Sequence, residues 1–166
     1  TIAGSVASGI TKGAGLITGA LSNAIDLQQL VTDTAAISGQ DIIDPDTFKQ
    51  TKDDISALLQ DVATSDTLQV GLTGANAAFQ GLLKTGTDYQ DILNGVLEET
   101  ISFANANSRG VASLNDMNDA ATVTGRGMAI FGLSAKDAEA FTNSMTAVIQ
   151  NSTIKSIHDL DFALIN

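Results

Sequence analysis

Apolar residues recur along this chain at the three-to-four spacing of helices with one buried face. At about 100° per residue, Ile2, Val6, Ile10, Ile17, Leu21 and Ala24 share one face, backed by Gly4, Ser8, Thr11, Gly15, Gly19 and Ser22. The pattern predicts one long helix from Ile2 to about Ser38, closed by Gly39 in a left-handed cap. Gly4, Gly9, Gly13, Gly15 and Gly19 each cost roughly 1 kcal/mol against alanine inside a helix. A helix so burdened needs a partner helix, tertiary packing or a membrane.

Shorter helices follow, each with a recognisable start. Asp44-Pro45 supplies an N-cap with proline at the first helical position, opening a helix to about Ala63. Leu68–Leu83 reads as another, weakened by Gly71, Gly74 and Gly81. Thr87 with Gln90 is a capping box, and Ser113 with Asp116, Ser134 with Asp137 and Ser156 with Asp159 repeat its logic. Gly86, Gly110 and Gly132 stand where C-terminal caps are expected. Between these signals run three apolar stripes: Tyr89, Ile92, Val96 and Phe103; Leu114, Met117, Ala121, Met128 and Phe131; Ala138, Phe141, Met145, Val148 and Ile149. No alternating run argues for a strand. The fold class is all-α: one long N-terminal helix over residues 1–38, then an array of short helices joined by tight turns over 39–166.

Composition sharpens this. Hydrophobic residues reach 43% but aromatics only 4%, so the helices pack through small side chains. Such faces are expected to need completion by neighbouring subunits. One proline and no cysteine exclude a disulfide or thiolate–metal framework. The net charge of −11 disfavours specific nucleic-acid binding. Lys12 is the sole charge in residues 1–25, so residues 26–166 carry −12. Thr at position 1 and an ending in mid-pattern at Asn166 make the chain read as an internal piece of a longer polypeptide.

Candidates for chemistry are few. His158, the single histidine, neighbours Asp159 and Asp161, but adjacent helical positions point apart, so a first-turn histidine beside capping carboxylates is favoured over a metal site. Asp53-Asp54 and Glu98-Glu99 read as solvated faces rather than the converging acids of a glycosidase. Gly125-Arg126-Gly127 follows no strand and lacks a phosphate-loop pattern, so its glycines are assigned to close helix packing. No catalytic, metal or cofactor residue is expected. Gly9-x-x-x-Gly13 and Gly15-x-x-x-Gly19 suit close helix–helix approach, in a membrane or out of it. Lys12 splits that apolar run into pieces shorter than the roughly 18–20 residues that span a bilayer. Packing against symmetry mates is therefore favoured over insertion.

Four blocks in order resemble one family. Ala35-Ala36-Ile37-Ser38-Gly39 follows an Asp-rich helix; then come Leu82-Leu83-Lys84-Thr85-Gly86 with Ile92, Val96-Leu97 and Phe103-Ala104-Asn105-Ala106. Phe131-Gly132-Leu133-Ser134-Ala135-Lys136-Asp137-Ala138 is the most specific stretch, and Asn151-Ser152-Thr153 with Ile157 and Asp159-Leu160 closes the series. Over residues 26–166 the chain resembles the helical core region of bacteriophage tail tape measure proteins.

That resemblance implies a non-enzymatic structural component of the virion. It would extend through the tail tube lumen, set tail length, nucleate tube assembly at the tail tip and leave ahead of the DNA. Its implied partners are itself, as a cyclic trimer, and the tail tube, distal tail and tail tip or baseplate hub proteins, with the host membrane met during ejection. Phe131, Gly132, Leu133 and Ser134 form the family-like turn. The alternatives are a membrane-active segment forming a channel for DNA and a cell-wall hydrolase.

Overall fold

A computed structural model describes residues 26–39, 43–108 and 110–165, with only the backbone of Ile165 described. The glycines of the N-terminal stripe (Gly4, Gly9, Gly13, Gly15 and Gly19) lie outside the described residues, as does any helix over 2–25.

Local capping chemistry draws most of the boundaries. Helix α1 (Leu27–Ser38) opens where Asp26 accepts the Gln29 amide at 3.1 Å and closes at Gly39, whose φ of 69° is left-handed. Asp26 itself has ψ 89°, so the helix ending at Gly39 starts at Leu27 rather than running through from upstream. Helix α2 (Pro45–Thr64) starts as Asp44-Pro45 predicts, with Asp44 accepting the Thr47 amide at 2.9 Å.

Helix α3 (Leu72–Lys84) begins four residues later than its apolar run suggests, because Gly71 is its N-cap rather than an interior weakness. Gly86 then turns the chain at φ 80°. The next N-cap is Asp88, not Thr87. The Asp88 carboxylate accepts the Gln90 amide at 2.8 Å, while the Thr87 hydroxyl lies 3.1 Å from that of Thr85. Asp88 is one residue closer and carries a full charge, which favours it at the positive end of a helix.

Helix α4 (Tyr89–Asp91) passes through a wide turn (Ile92–Val96) into α5 (Leu97–Asn107). The stripe Tyr89, Ile92, Val96, Phe103 is buried as expected, but the helix beneath it is broken. Asn94 (φ −94°, ψ 22°) and Gly95 (φ 119°) leave helical space, and the positive φ at 95 is one that glycine adopts without strain. Asn-Gly is a turn signal that the apolar stripe masks. Gly110, expected as a cap, sits beyond the end of α5, whose last turn is instead closed at Ser108.

Helix α6 (Leu114–Phe131) carries both halves of the Ser113–Asp116 capping box and ends on left-handed Gly132. Of its expected stripe, Met117, Ala121 and Met128 are buried, whereas the end residues Leu114 and Phe131 are exposed. A short 3-10 turn (Ala135–Asp137) leads into α7 (Ala138–Asn151), and α8 (Ile157–Ile165) begins where Ser156 Oγ accepts the Asp159 amide at 3.0 Å. No strand occurs among the described residues.

Helix α6 is the hub. It packs most extensively on α3 and also on α8, α5 and α7, while α1 and α2 cover the far side of α3. Between them lies one core that includes Leu30, Ile55, Leu59, Phe79, Leu82, Ile92, Leu97, Ile101, Phe103 and Met117, all buried. Residues expected to need neighbouring subunits for completion thus bury a contiguous core against one another within one chain. The reason is where the glycines sit. A Cβ on Gly81 would come within 2.6 Å of Ala121 Cβ, and one on Gly125 within 2.7 Å of Thr85 Cβ and 2.8 Å of Thr87 Oγ1. On Gly127 it would fall 2.8 Å from Phe141 Cε2. Small residues let α6 approach its neighbours inside one chain, so few large side chains suffice to fill the core.

Candidate functional site

The turn Phe131-Gly132-Leu133-Ser134 is built by two reciprocal devices. The amides of Gly132 and Leu133 both donate to the Met128 carbonyl, the latter at 2.9 Å, which ends α6. Ser134 and Asp137 then exchange backbone bonds across the next start. The Asp137 carboxyl is held below the usual carboxylate range by its backbone and side-chain bonds from Ser134. The Ala135 amide donates to Asp91 at 3.0 Å, tying this connection to α4. Phe131 leans on Phe141 with ring centroids 6.2 Å apart, yet keeps 60% of its surface exposed, and Ile130 beside it is exposed too. The turn fixes where α7 leaves α6 and displays an apolar edge; it brings no chemical groups together.

His158 pairs across helices. Its Nδ1 lies 3.4 Å from Asp119 of α6, and Arg126 of α6 meets Asp161 at 2.9 Å, so α8 is latched at two points. Burial pushes the Asp119 carboxyl up, opposed by His158 and reinforced by Asp161. These interhelical partners were invisible to sequence spacing. Among the described residues, no three His, Cys, Asp or Glu side chains are placed to hold a metal ion.

The two adjacent carboxylate pairs divide. Asp53 bonds Lys49 at 2.6 Å in solvent, whereas Asp54 accepts from Gln50 at 2.7 Å on the side of α2 facing α4. Glu98 and Glu99 border a groove of about 370 Å³ with Asp61, Ser65 and Ser102, and no aromatic ring lines it. The Glu99 carboxyl is pushed up, first by burial and then by the charges of Glu139 and Glu98.

A second groove, about 630 Å³, runs between α2 and α4. Asp46, Gln50 and Asp54 succeed one another at i, i+4 and i+8 along α2, and Tyr89 and Gln90 face them. Tyr89 is the single tyrosine, 3% exposed, and its hydroxyl has no hydrogen-bond partner. A buried hydroxyl left so costs about 1–3 kcal/mol. Burial, with a smaller contribution from Asp54, pushes the phenol up to about 12. Sequence reading placed Tyr89 only in an apolar stripe. The recurrence of polar residues at 46, 50 and 54 along α2 was the available signal.

Compared with protein-family models, curated proteins and solved structures, the chain matches none of them. Among the described residues, no helix is long and apolar enough to cross a membrane.

Proposed function

We propose that this chain is a structural segment of a phage tail tape measure protein, with no enzymatic role of its own. The observation that carries the reading is the ordered series of four helical blocks over residues 26–166, above all Phe131–Ala138. Supporting it is the character of the domain: helices set by caps and tight turns and bordered by exposed Ile130, Phe131 and Phe162. In this reading residues 26–166 form a bead-like helical unit in the tail tube lumen near the tip. The glycine-rich residues 2–25 are the stretch that associates with symmetry mates, three copies about the tail axis. Tail tube, distal tail and tail tip or baseplate hub proteins surround it, and the host membrane is met during ejection.

Cryo-EM of tails from the phage encoding the chain tests this. Helical density fitting α3 to α8 inside the tube lumen is expected, and density only on the outer wall, or none in the tail, would sink the proposal. A membrane-active role for residues 2–25 is the second reading, favoured by Gly9-x-x-x-Gly13 and Gly15-x-x-x-Gly19. It requires dye release from liposomes that vanishes when those residues are deleted. A cell-wall hydrolase would clear a zymogram, and would lose that activity on Glu99→Gln.

A further inference from the structure

The groove between α2 and α4 has a one-sided chemistry. Asp46 and Asp54 supply two carboxylates, Gln50 and Gln90 two carboxamides, and among the described residues no lysine or arginine lines it. On α2, Lys49 is taken up by Asp53 and Lys52 does not line the groove. Against that acidic wall stands a phenol that is almost wholly buried and has nothing to bond. Helix formation does not require a tyrosine there, since the ring is held by packing and phenylalanine would fill the same space. What the hydroxyl adds is a polar atom whose partner is missing from the chain. Native folds tolerate few such atoms, and one that lines an open groove calls for a partner from outside the chain.

We propose that this groove receives a guanidinium group, presented as an arginine side chain of a protein partner. A guanidinium offers several N–H donors in one plane and is more weakly hydrated than an ammonium ion. It reaches the Asp54 carboxylate and the Tyr89 oxygen together, with Asp46 adding charge at the mouth. Gln50, exposed and bonded to Asp54 at 2.7 Å, swings aside to admit it. A divalent cation is less suited, because only two carboxylates line the groove and no metal-ligating group of three exists among the described residues. The inference stands apart from the phage-tail reading, since it rests on the groove alone.

The test uses the intrinsic signal of the protein. With one tyrosine and no tryptophan, absorbance and emission of the whole chain report on Tyr89 alone. N-acetyl-L-arginine methylamide is titrated against N-acetyl-L-lysine methylamide and against matched sodium chloride. A saturable change is expected for the arginine probe, with affinity roughly fivefold or more above that of the lysine probe. Asp54→Asn should weaken it about tenfold while the far-UV circular dichroism stays unchanged. Tyr89→Phe, followed by calorimetry, should also weaken binding while raising the Tm of the free protein. Should Asp54→Asn disturb folding, Asp46→Asn takes its place, with a smaller loss expected. No change beyond that of salt, equal binding of both probes, or full affinity in folded Asp54→Asn would overturn the proposal.

Discussion

Helices α6 and α2 are of similar length, 18 and 20 residues, yet they meet the rest of the molecule in opposite ways. Helix α6 is gripped on several sides and approached so closely that Gly125 and Gly127 have no room for a methyl group. Helix α2 buries only Thr51, Ile55, Leu59 and Val62, and turns a polar row of Asp46, Gln50 and Asp54 toward a groove it leaves unfilled. The contrast teaches that the small residues of α6 serve internal contact, while the groove beside α2 lies where side chains are large and polar.

The comparison breaks first at Gly125. Alanine there should gain about 1 kcal/mol of helix propensity. Overpacking against Thr85 and Thr87 should cost more, for a net loss near 2 kcal/mol in urea unfolding. Thr85 has little freedom to yield, because its hydroxyl donates to the Leu82 carbonyl at 2.7 Å. A neutral Gly125→Ala would mean that α6 is looser than described. Gly127→Ala should lose less, about 1 kcal/mol, because it meets only the far end of the buried Phe141 ring, which can tilt, rather than atoms next to the backbone.

On the α2 side the sign reverses. Tyr89→Phe removes an unsatisfied hydroxyl and should stabilise the protein by about 1 kcal/mol; destabilisation would show that the hydroxyl has a partner in solution. Arg126→Ala severs one of the two latches on α8 and should cost about 0.5–1 kcal/mol, since the arginine is half-buried and still reached by solvent. Faster hydrogen exchange should then be confined to Ile157–Ile165.

The smallest effect is with pH. Glu99 and Asp119 titrate above their ordinary values of 4.5 and 3.8, chiefly through burial, so the native state binds more protons than the unfolded one there. Stability should rise as pH falls from about 7 toward those values. Asp44 and Asp137 titrate below 3.8 because they accept cap hydrogen bonds, so their contribution is present above 3.8 and lost as pH falls further. A stability maximum on the acid side of neutrality is therefore expected, and a monotonic fall from neutrality downward would contradict these assignments.

Much of the fold was legible because it is local. The caps at Asp44, Ser113, Ser134 and Ser156 and the left-handed glycines at 39, 86 and 132 depend on three or four consecutive residues, and each falls where the pattern places it. Gly125 and Gly127 were likewise legible as packing glycines. Errors arose where two local signals competed. Asp88 outranked Thr87 as a cap, and Asn94-Gly95 overrode the apolar stripe that ran across it. The groove was hardly legible at all. That Tyr89 would face Asp54, or that His158 would meet Asp119 rather than its own neighbours, depends on how distant helices cross. Periodicity gives the face a residue occupies but not what stands opposite.

The central physical claim is that residues 26–165 close their own core through glycine-tight helix contacts. Urea unfolding of residues 26–166, at two protein concentrations about a hundredfold apart, tests it most directly. A single cooperative transition with the same midpoint at both concentrations is predicted. A midpoint that climbs with concentration would mean that neighbouring copies complete the core, and the account would be wrong.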